Sequence, residues 1–426
     1  MSPARDLALF VATPLLIIPI AWAVRTASSD AAFLLLVAAF GQVGHTLPGL
    51  IRAYGDRQLF ARYRTRFIVA PILVGAACVY GFMHNIDALV LASVTWAIWH
   101  SLMQSYGFVR IYASKSSTQS NWLRQLDFGM CLLWFIGALL LNDQPLSLLL
   151  RRWYQCSGFL ISAVWIDIVR GVWQLLLLGV TGSWLWLVFR RRPDAAGLVR
   201  IGVMATSIGF YWFAYRGAGN ILIGAALFEI FHDVQYLAIV WLFNRRRAEH
   251  DQTAGAFLKF LFRRSGALVG LYVGLVFAFG SLKFLEHGLA AGLMRDLLIA
   301  FLATAGLLHY YYDGFIWKIR ETSTSETLGL QTAEKGVLQI PAIRHAAKWC
   351  LGAIPVAWLM TTELRSAPDL PTQFQLLSAS LPDSADVQFE TAQVLTSSGQ
   401  SKAAVPHLDR VLRIRPRTFF ARTVAG

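Results

Sequence analysis

Apolar runs long enough to cross a lipid bilayer recur along the whole sequence. About 20 apolar residues cross the hydrocarbon core as an α-helix. We count about eleven runs of this length, near residues 7–24, 31–51, 67–83, 88–109, 126–142, 158–189 (one crossing plus an interfacial piece), 198–215, 219–243, 266–284, 290–316 and 346–362. Because a segment inside the bilayer must satisfy its backbone hydrogen bonds internally, each run predicts a helix. We therefore predict an all-α, polytopic membrane helix bundle with ten or eleven transmembrane helices over residues 1–362.

The composition excludes several classes of protein. With 56% hydrophobic and only 15% charged residues, the chain is too apolar for an ordinary soluble protein. Its net charge of +14 comes from basic residues in short loops, and no phosphate-binding glycine loop is present, so we expect no nucleic-acid partner. The four cysteines are scattered and predict neither a disulfide framework nor a thiolate metal site.

Basic residues alternate between the predicted loops. The loops after the second, fourth, sixth, eighth and tenth runs are rich in arginine and lysine, as in Arg245, Arg246 and Arg247. The opposite loops hold only Arg25, Arg151, Arg152, Arg216 and Lys283. Since basic loops stay in the cytoplasm, this pattern predicts a cytoplasmic amino terminus and a periplasmic tail after the last run.

The run at 219–243 carries polar residues at membrane depth. Glu229 and His232 lie three residues apart, and Asp233 and Tyr236 extend the same helical stripe. Ionisable groups inside a bilayer are expensive, so they are candidates for function. Helices that hold di-iron pairs use the same Glu-x-x-His spacing.

Three other runs carry a polar pair on one predicted helical face. The pairs are Gln42 with His45, His100 with Gln104, and His309 with Asp313. Together with His232, these pairs supply four histidines. Each of the four lies seven to thirteen residues before the next basic residue in the sequence. That count places the four imidazoles about 10–20 Å inside the cytoplasmic edge. The four helices also run in the same direction, so the sequence predicts a single buried layer of histidines.

Imidazole and carboxylate together suit iron, manganese or zinc. We predict a metal site formed by His45, His100, Glu229, His232, Asp233, His309 and Asp313, supported by Gln42, Gln104 and Tyr236. Carboxylates bonded to the other ring nitrogen would fix the histidine tautomers.

Two stretches carry a resemblance to known membrane proteins. HDVQYLAIVWLFNRRR and HYYYDGFIWK look like signatures of an uncharacterised bacterial multi-histidine membrane family. That resemblance implies a location in the bacterial inner membrane and supplies no mechanism. The arrangement of one histidine on each of several spans is also loosely similar to that of the membrane-bound carotene dioxygenases. This resemblance implies a non-haem iron enzyme with a lipophilic substrate. The tightly spaced histidine boxes of membrane desaturases are absent from the sequence.

Residues 363–426 form a less apolar, soluble tail. Residues 385–416 resemble a tetratricopeptide repeat, with the small and apolar residues of its two helices in place. These are Ala392, Leu395, Gly399, Ala404, Leu408, Val411 and Pro416. Residues 374–382 resemble the end of an earlier repeat, and Gln388 stands near the place of the family's usual aromatic residue, which is missing. The resemblance to a tetratricopeptide repeat implies an α-helical module that binds a protein partner. Either the membrane domain or another chain completes this module, or it stays incomplete.

The sequence leaves four functions open. The first is a metal-dependent membrane oxidoreductase or oxygenase that acts on a lipophilic substrate. The second is an electron carrier with haem held by two histidines, and the third is a proton-coupled transporter in which the acids and histidines relay protons. The fourth is a non-catalytic membrane anchor that presents the tail to a partner.

Overall fold

The described chain is entirely helical. A computed structural model describes residues 3–117, 120–250, 255–263, 265–317, 354–363 and 369–415, and within these residues it has no strand. The helices up to the middle of the chain are α1 Pro3–Phe10, α2 Thr13–Ala27, α3 Asp30–Leu36, π1 Val37–Val43, α4 Thr46–Gly55, α5 Arg57–Arg62, α6 Arg64–Met83, α7 Asp87–Ala113, α8 Asn121–Leu140, α9 Asp143–Ser157 and α10 Ala163–Arg191. The later helices are α11 Ala195–Trp212, π2 Phe213–Gly217, α12 Ile221–His250, α13 Ala256–Leu261, α14 Gly266–Gly280, α15 Leu282–Gly288, α16 Leu293–Ile316, α17 354–363, α18 Leu370–Ser380, α19 Ala385–Ser397 and α20 Ser401–Ile414.

Eight helical segments within the described ranges are long and apolar enough to cross a membrane. They are Asp30–Gly55, Arg64–Met83, Asn121–Leu140, Ala163–Arg191, Ala195–Gly217, Ile221–Glu249, Gly266–Gly288 and Leu293–Ile316. The predicted all-α class is confirmed, and this architecture is that of a multi-pass membrane protein.

Three of the predicted crossings are not among these eight. The first run forms α1 and the 15-residue α2, which is short for a crossing. Helix α7 is long enough, but His100 and Gln104 make it less apolar. The last run is described only from residue 354, and residues 346–353 lie outside the described part of the chain. These three crossings stay predictions.

The chain divides into two compact units. The first comprises the described residues of 1–85, 96–131 and 184–339, and the second those of 86–95, 132–183 and 340–426. In the first unit, α12 packs against α2, π1, π2 and α13. In the apolar 18-residue stretch of α12, 67% of the residues are buried within the protein, which is the largest share among the eight segments. The polar stripe of α12 therefore lies in the interior of this unit.

In the second unit, the tail packs on α9, a helix that was not predicted as a separate element. The interfacial piece expected within 158–189 lies earlier, as the amphipathic α9, and α10 is one continuous helix. Helices α18 and α19 pack against α9. Their shared core contains Leu146, Leu150, Ile166, Phe374, Leu377, Leu381 and Val387. Thus α9 covers one face of the tail helices, whereas membership of the tetratricopeptide family stays a prediction, and Pro416 lies outside the described residues.

Candidate metal centre

Four histidine rings from four helical segments meet inside the first unit. His100 comes from α7, His232 from α12 and His309 from α16, while His45 lies between π1 and α4. All four are buried, with at most 7% of the residue exposed. Ring centroids are 4.7 Å apart for His45 and His309 and for His100 and His309. They are 5.1 Å apart for His100 and His232 and 5.5 Å for His45 and His232. The four imidazoles therefore form a closed cluster.

The closest approach in this cluster joins two ring nitrogens. Nε2 of His45 lies 3.2 Å from Nε2 of His309, and the two ring planes are nearly perpendicular, at 83°. Two nitrogens bound to one ion at about 2.0–2.1 Å, with a tetrahedral angle, lie about 3.3–3.4 Å apart. The distance also suits an N–H···N hydrogen bond. Either a shared metal ion or a shared proton accounts for this contact.

The other nitrogen of His45 identifies its tautomer. Nδ1 lies 2.5 Å from the backbone oxygen of Gly41 and 3.0 Å from Oδ1 of Asp233. Because a carbonyl oxygen only accepts hydrogen bonds, Nδ1 carries the proton. In the neutral ring, Nε2 is then left with a free lone pair directed at the cluster. Oδ1 of Asp233 lies beside this N–H, near the place of the carboxylate that orients a metal-bound histidine.

A second carboxylate lies beside His309. Oδ1 of Asp313 is 3.8 Å from Nδ1 of His309. The same oxygen accepts hydrogen bonds from the Tyr236 hydroxyl at 3.0 Å and from Nε1 of Trp317 at 3.1 Å. Two donors therefore fix this carboxylate beside the imidazole, at a distance too long for a direct hydrogen bond to the ring.

Several buried polar atoms here have no hydrogen-bond partner among the described residues. They are Nε2 of His100, Nδ1 of His309, both carboxylate oxygens of Asp233 and Oε1 of Gln104. Buried polar atoms in folded proteins are nearly always paired, because an unpaired one costs about 1–3 kcal/mol. Such a concentration of unpaired acceptors and imidazoles points to a ligand at this position.

All seven predicted metal ligands belong to this cluster. Three groups have ligand atoms within 4.8 Å of one another: His45 with His232 and His309, His100 with His309 and Asp313, and His45 with Glu229 and Asp233. Of the predicted supporting residues, Tyr236 contacts Asp313, whereas Gln104 donates to the backbone oxygen of His232 at 2.9 Å and not to a ring.

Two expectations from the sequence are wrong, one based on helical spacing and the other on a count of residues. Gln42 is exposed and does not support the cluster. It lies in π1, where Gly44 N–H bonds to the Ala39 oxygen five residues earlier, so the wider turn separates Gln42 from His45. Arg52 is the next basic residue after His45, from which the depth of His45 was counted, and it is buried within the Asp30–Gly55 segment. Its guanidinium lies 3.9 Å from the Phe243 ring centroid and 3.8 Å from that of Trp317. The residue count from His45 therefore does not measure its depth.

Two glycines that were not predicted to belong to the site allow the helices to approach each other closely. A Cβ atom at Gly49 would lie 2.7 Å from the Tyr236 hydroxyl oxygen and 3.1 Å from Nδ1 of His309. One at Gly41 would lie 2.5 Å from Oδ2 of Asp233. Both glycines are four residues from His45, so the spacing Gly-x-x-x-His-x-x-x-Gly was a signal that could have been found. Only glycine leaves room for the side chains of α12 and α16 at these points.

Comparisons with known proteins give no relative for this chain: no protein-family model, curated protein or solved structure matches it. The resemblances to the tetratricopeptide repeat and to multi-histidine membrane families therefore stay predictions.

Proposed function

We propose that the chain is a bacterial inner-membrane oxidoreductase or oxygenase that binds iron, with manganese or zinc as alternatives, and acts on a lipophilic substrate. The convergence of the His45 and His309 Nε2 atoms, 3.2 Å apart within a set of four buried imidazoles, carries this proposal. Imidazole is a ligand common to iron, zinc and copper sites.

The histidines and the carboxylates have different roles in this proposal. His45 and His309 bind the metal through Nε2, with His100 and His232 beside them. Asp233 and Asp313 lie beside the Nδ1 atoms of His45 and His309, at 3.0 and 3.8 Å, where carboxylates would orient the two rings once a metal is bound. The two aspartates are therefore moved from the predicted ligand set to the set of orienting residues.

The surroundings of the cluster favour a lipid-soluble substrate. The ring of His100 lies 4.7 Å from that of Tyr310, which in turn lies 6.2 Å from Trp96. Tyr310 belongs to the membrane-crossing helix α16 and Trp96 to α7, and their rings give one side of the cluster an apolar wall. The bound metal would supply a Lewis-acidic and redox-active centre, while the chain holds and orients its ligands.

Contacts in the second unit support a periplasmic tail. The carboxylate of Glu363 accepts hydrogen bonds from the backbone N–H groups of Asp87, at 2.5 Å, and Ala88, at 2.8 Å. The end of α17 and the start of α7 thus lie on the same side of the membrane, together with α9 and the tail packed on it. The alternation of basic loops assigns that side to the periplasm. We propose that the tail binds a protein partner there.

Two alternative functions make different demands on the same residues. A haem iron between two axial histidines separates their nitrogens by about 4 Å, twice the Fe–N bond length, and needs a porphyrin ring between them. The 3.2 Å contact is too short for that arrangement. A proton relay fits the contact equally well, since it needs only an N–H···N hydrogen bond between His45 and His309.

Metal analysis with an optical spectrum of detergent-purified protein tests the proposal. We expect stoichiometric metal in the wild type and in His84→Ala, a control whose ring contacts Tyr80 outside the cluster. His309→Ala is expected to lose the metal. A Soret band would favour haem, and absence of metal from folded wild-type protein would refute the metal site and leave the proton relay.

A further inference from the structure

The carboxylate of Glu229 is the accessible part of the buried cluster. Its side chain is 27% exposed, whereas that of Asp233, one helical turn later, is 7% exposed and that of His45 is 1% exposed. Oε1 of Glu229 lies 4.0 Å from Nδ1 of His45, so the exposed carboxylate still reaches the cluster. Of these three side chains, the Glu229 carboxylate is therefore the one that an ion arriving from outside the protein would meet first.

The position of Glu229 along α12 indicates where this approach begins. Glu229 is eight residues after the start of α12 at Ile221, or about 12 Å, and sixteen residues before Arg245, or about 24 Å. The cluster of arginines at the carboxyl end of α12 marks the predicted cytoplasmic end. Glu229 thus lies in the half of the helix that is nearer the periplasm.

The groups around Glu229 suit a hydrated cation. Oδ2 of Asp233 is buried and has no hydrogen-bond partner among the described residues. Gly41 allows both carboxylates to lie close together against π1, because a Cβ there would lie 2.5 Å from Oδ2 of Asp233 and 3.6 Å from Cγ of Glu229. Carboxylate oxygens bind divalent cations that keep part of their water, whereas imidazoles bind transition metals more selectively.

We propose that Glu229 and Asp233 form an uptake site, through which a hydrated divalent transition-metal ion reaches the imidazoles from the periplasmic side. This inference rests on the proposed metal centre and adds its route of loading. The partly exposed carboxylate captures the ion, the buried one receives it, and the histidines replace its remaining water.

Cobalt uptake by the metal-free, detergent-purified chain tests the uptake site, with visible absorption as the signal. A cleft lined with one sign of charge raises the association rate of counter-ions by about tenfold or more, so Glu229→Gln is expected to slow cobalt uptake by about tenfold with the same final content. Glu249→Gln, at the exposed cytoplasmic end of the same helix, is the matched control and is expected to leave the rate unchanged.

The possible results separate this inference from the metal centre itself. An unchanged rate in Glu229→Gln would overturn the uptake site alone, and a lower final content would show that Glu229 is a permanent ligand. A wild type that binds no cobalt would overturn both proposals. In a chain without its native cysteines, Glu229→Cys is expected to react with a membrane-impermeant thiol reagent in right-side-out vesicles. Reaction in inside-out vesicles alone would contradict the periplasmic route.

Discussion

Gly49→Ala adds one methyl group at the closest point between α4 and the histidine cluster. The new Cβ would lie 2.7 Å from the Tyr236 hydroxyl oxygen, about 0.6 Å closer than ordinary carbon–oxygen contacts. The Tyr236 ring cannot swing away freely, because it packs 4.8 Å from the ring of His309 and 6.4 Å from that of Trp317. Either the hydroxyl or the α4 backbone must therefore move.

Both movements reach the metal ligands. A shift of the hydroxyl by about half an ångström breaks its 3.0 Å hydrogen bond to Asp313, the carboxylate behind His309. Loss of such an orienting partner lowers metal affinity about 10–100-fold, or about 1.4–2.7 kcal/mol. The free energy of unfolding changes less, since overpacking costs about 1–3 kcal/mol and alanine gains about 1 kcal/mol over glycine in a helix.

Competition with a chelator of known affinity measures this effect, beside a thermal unfolding curve. Gly107→Ala is the control, because it also places alanine in a helix but has no atom within 4 Å of the new Cβ. We expect Gly49→Ala to bind metal at least about tenfold more weakly while Gly107→Ala keeps the wild-type affinity. Wild-type affinity in Gly49→Ala would refute the argument that tight helix approach positions the ligands.

Three further changes test other parts of the structure. Tyr236→Phe removes one donor to Asp313, so metal affinity should fall by about tenfold in the same competition assay, and an unchanged affinity would contradict the orienting role. The Ser116 hydroxyl and neighbouring N–H groups hold the pKa of Asp194 well below its usual value, so its stabilisation is present above about pH 4 and lost as pH falls further. Unfolding temperatures of wild type and Asp194→Asn should therefore differ at pH 7 and converge in acid. Leu377→Ala removes a 2%-exposed side chain from the core under the tail and should cost about 2–5 kcal/mol, seen as faster proteolysis of the tail with unchanged metal content.

The arrangement of the histidines followed from the sequence because depth in a membrane is a one-dimensional quantity. Counting from basic loops placed His100, His232 and His309 at one level on helices of one direction, and the structure brings them together. The contacts between helices could not be predicted in this way. The donation from Trp317 to Asp313 and the narrow approach at Gly49 depend on how the helices pack in three dimensions, and no local spacing encodes that packing.

The π segment before His45 provides the most direct test of how the cluster is assembled. A π turn holds one residue more than an α turn, and π segments are frequent at functional sites. Deletion of Gln42 is expected to restore an α-helical turn and rotate His45 relative to the helix that precedes it. Because the Gln42 side chain is exposed, Gln42→Ala keeps the extra residue and should leave metal content unchanged. The deletion variant should insert into membranes and unfold cooperatively but retain little metal. If it retained wild-type metal content, the π segment would have no role in positioning His45, and helix packing alone would place the imidazole.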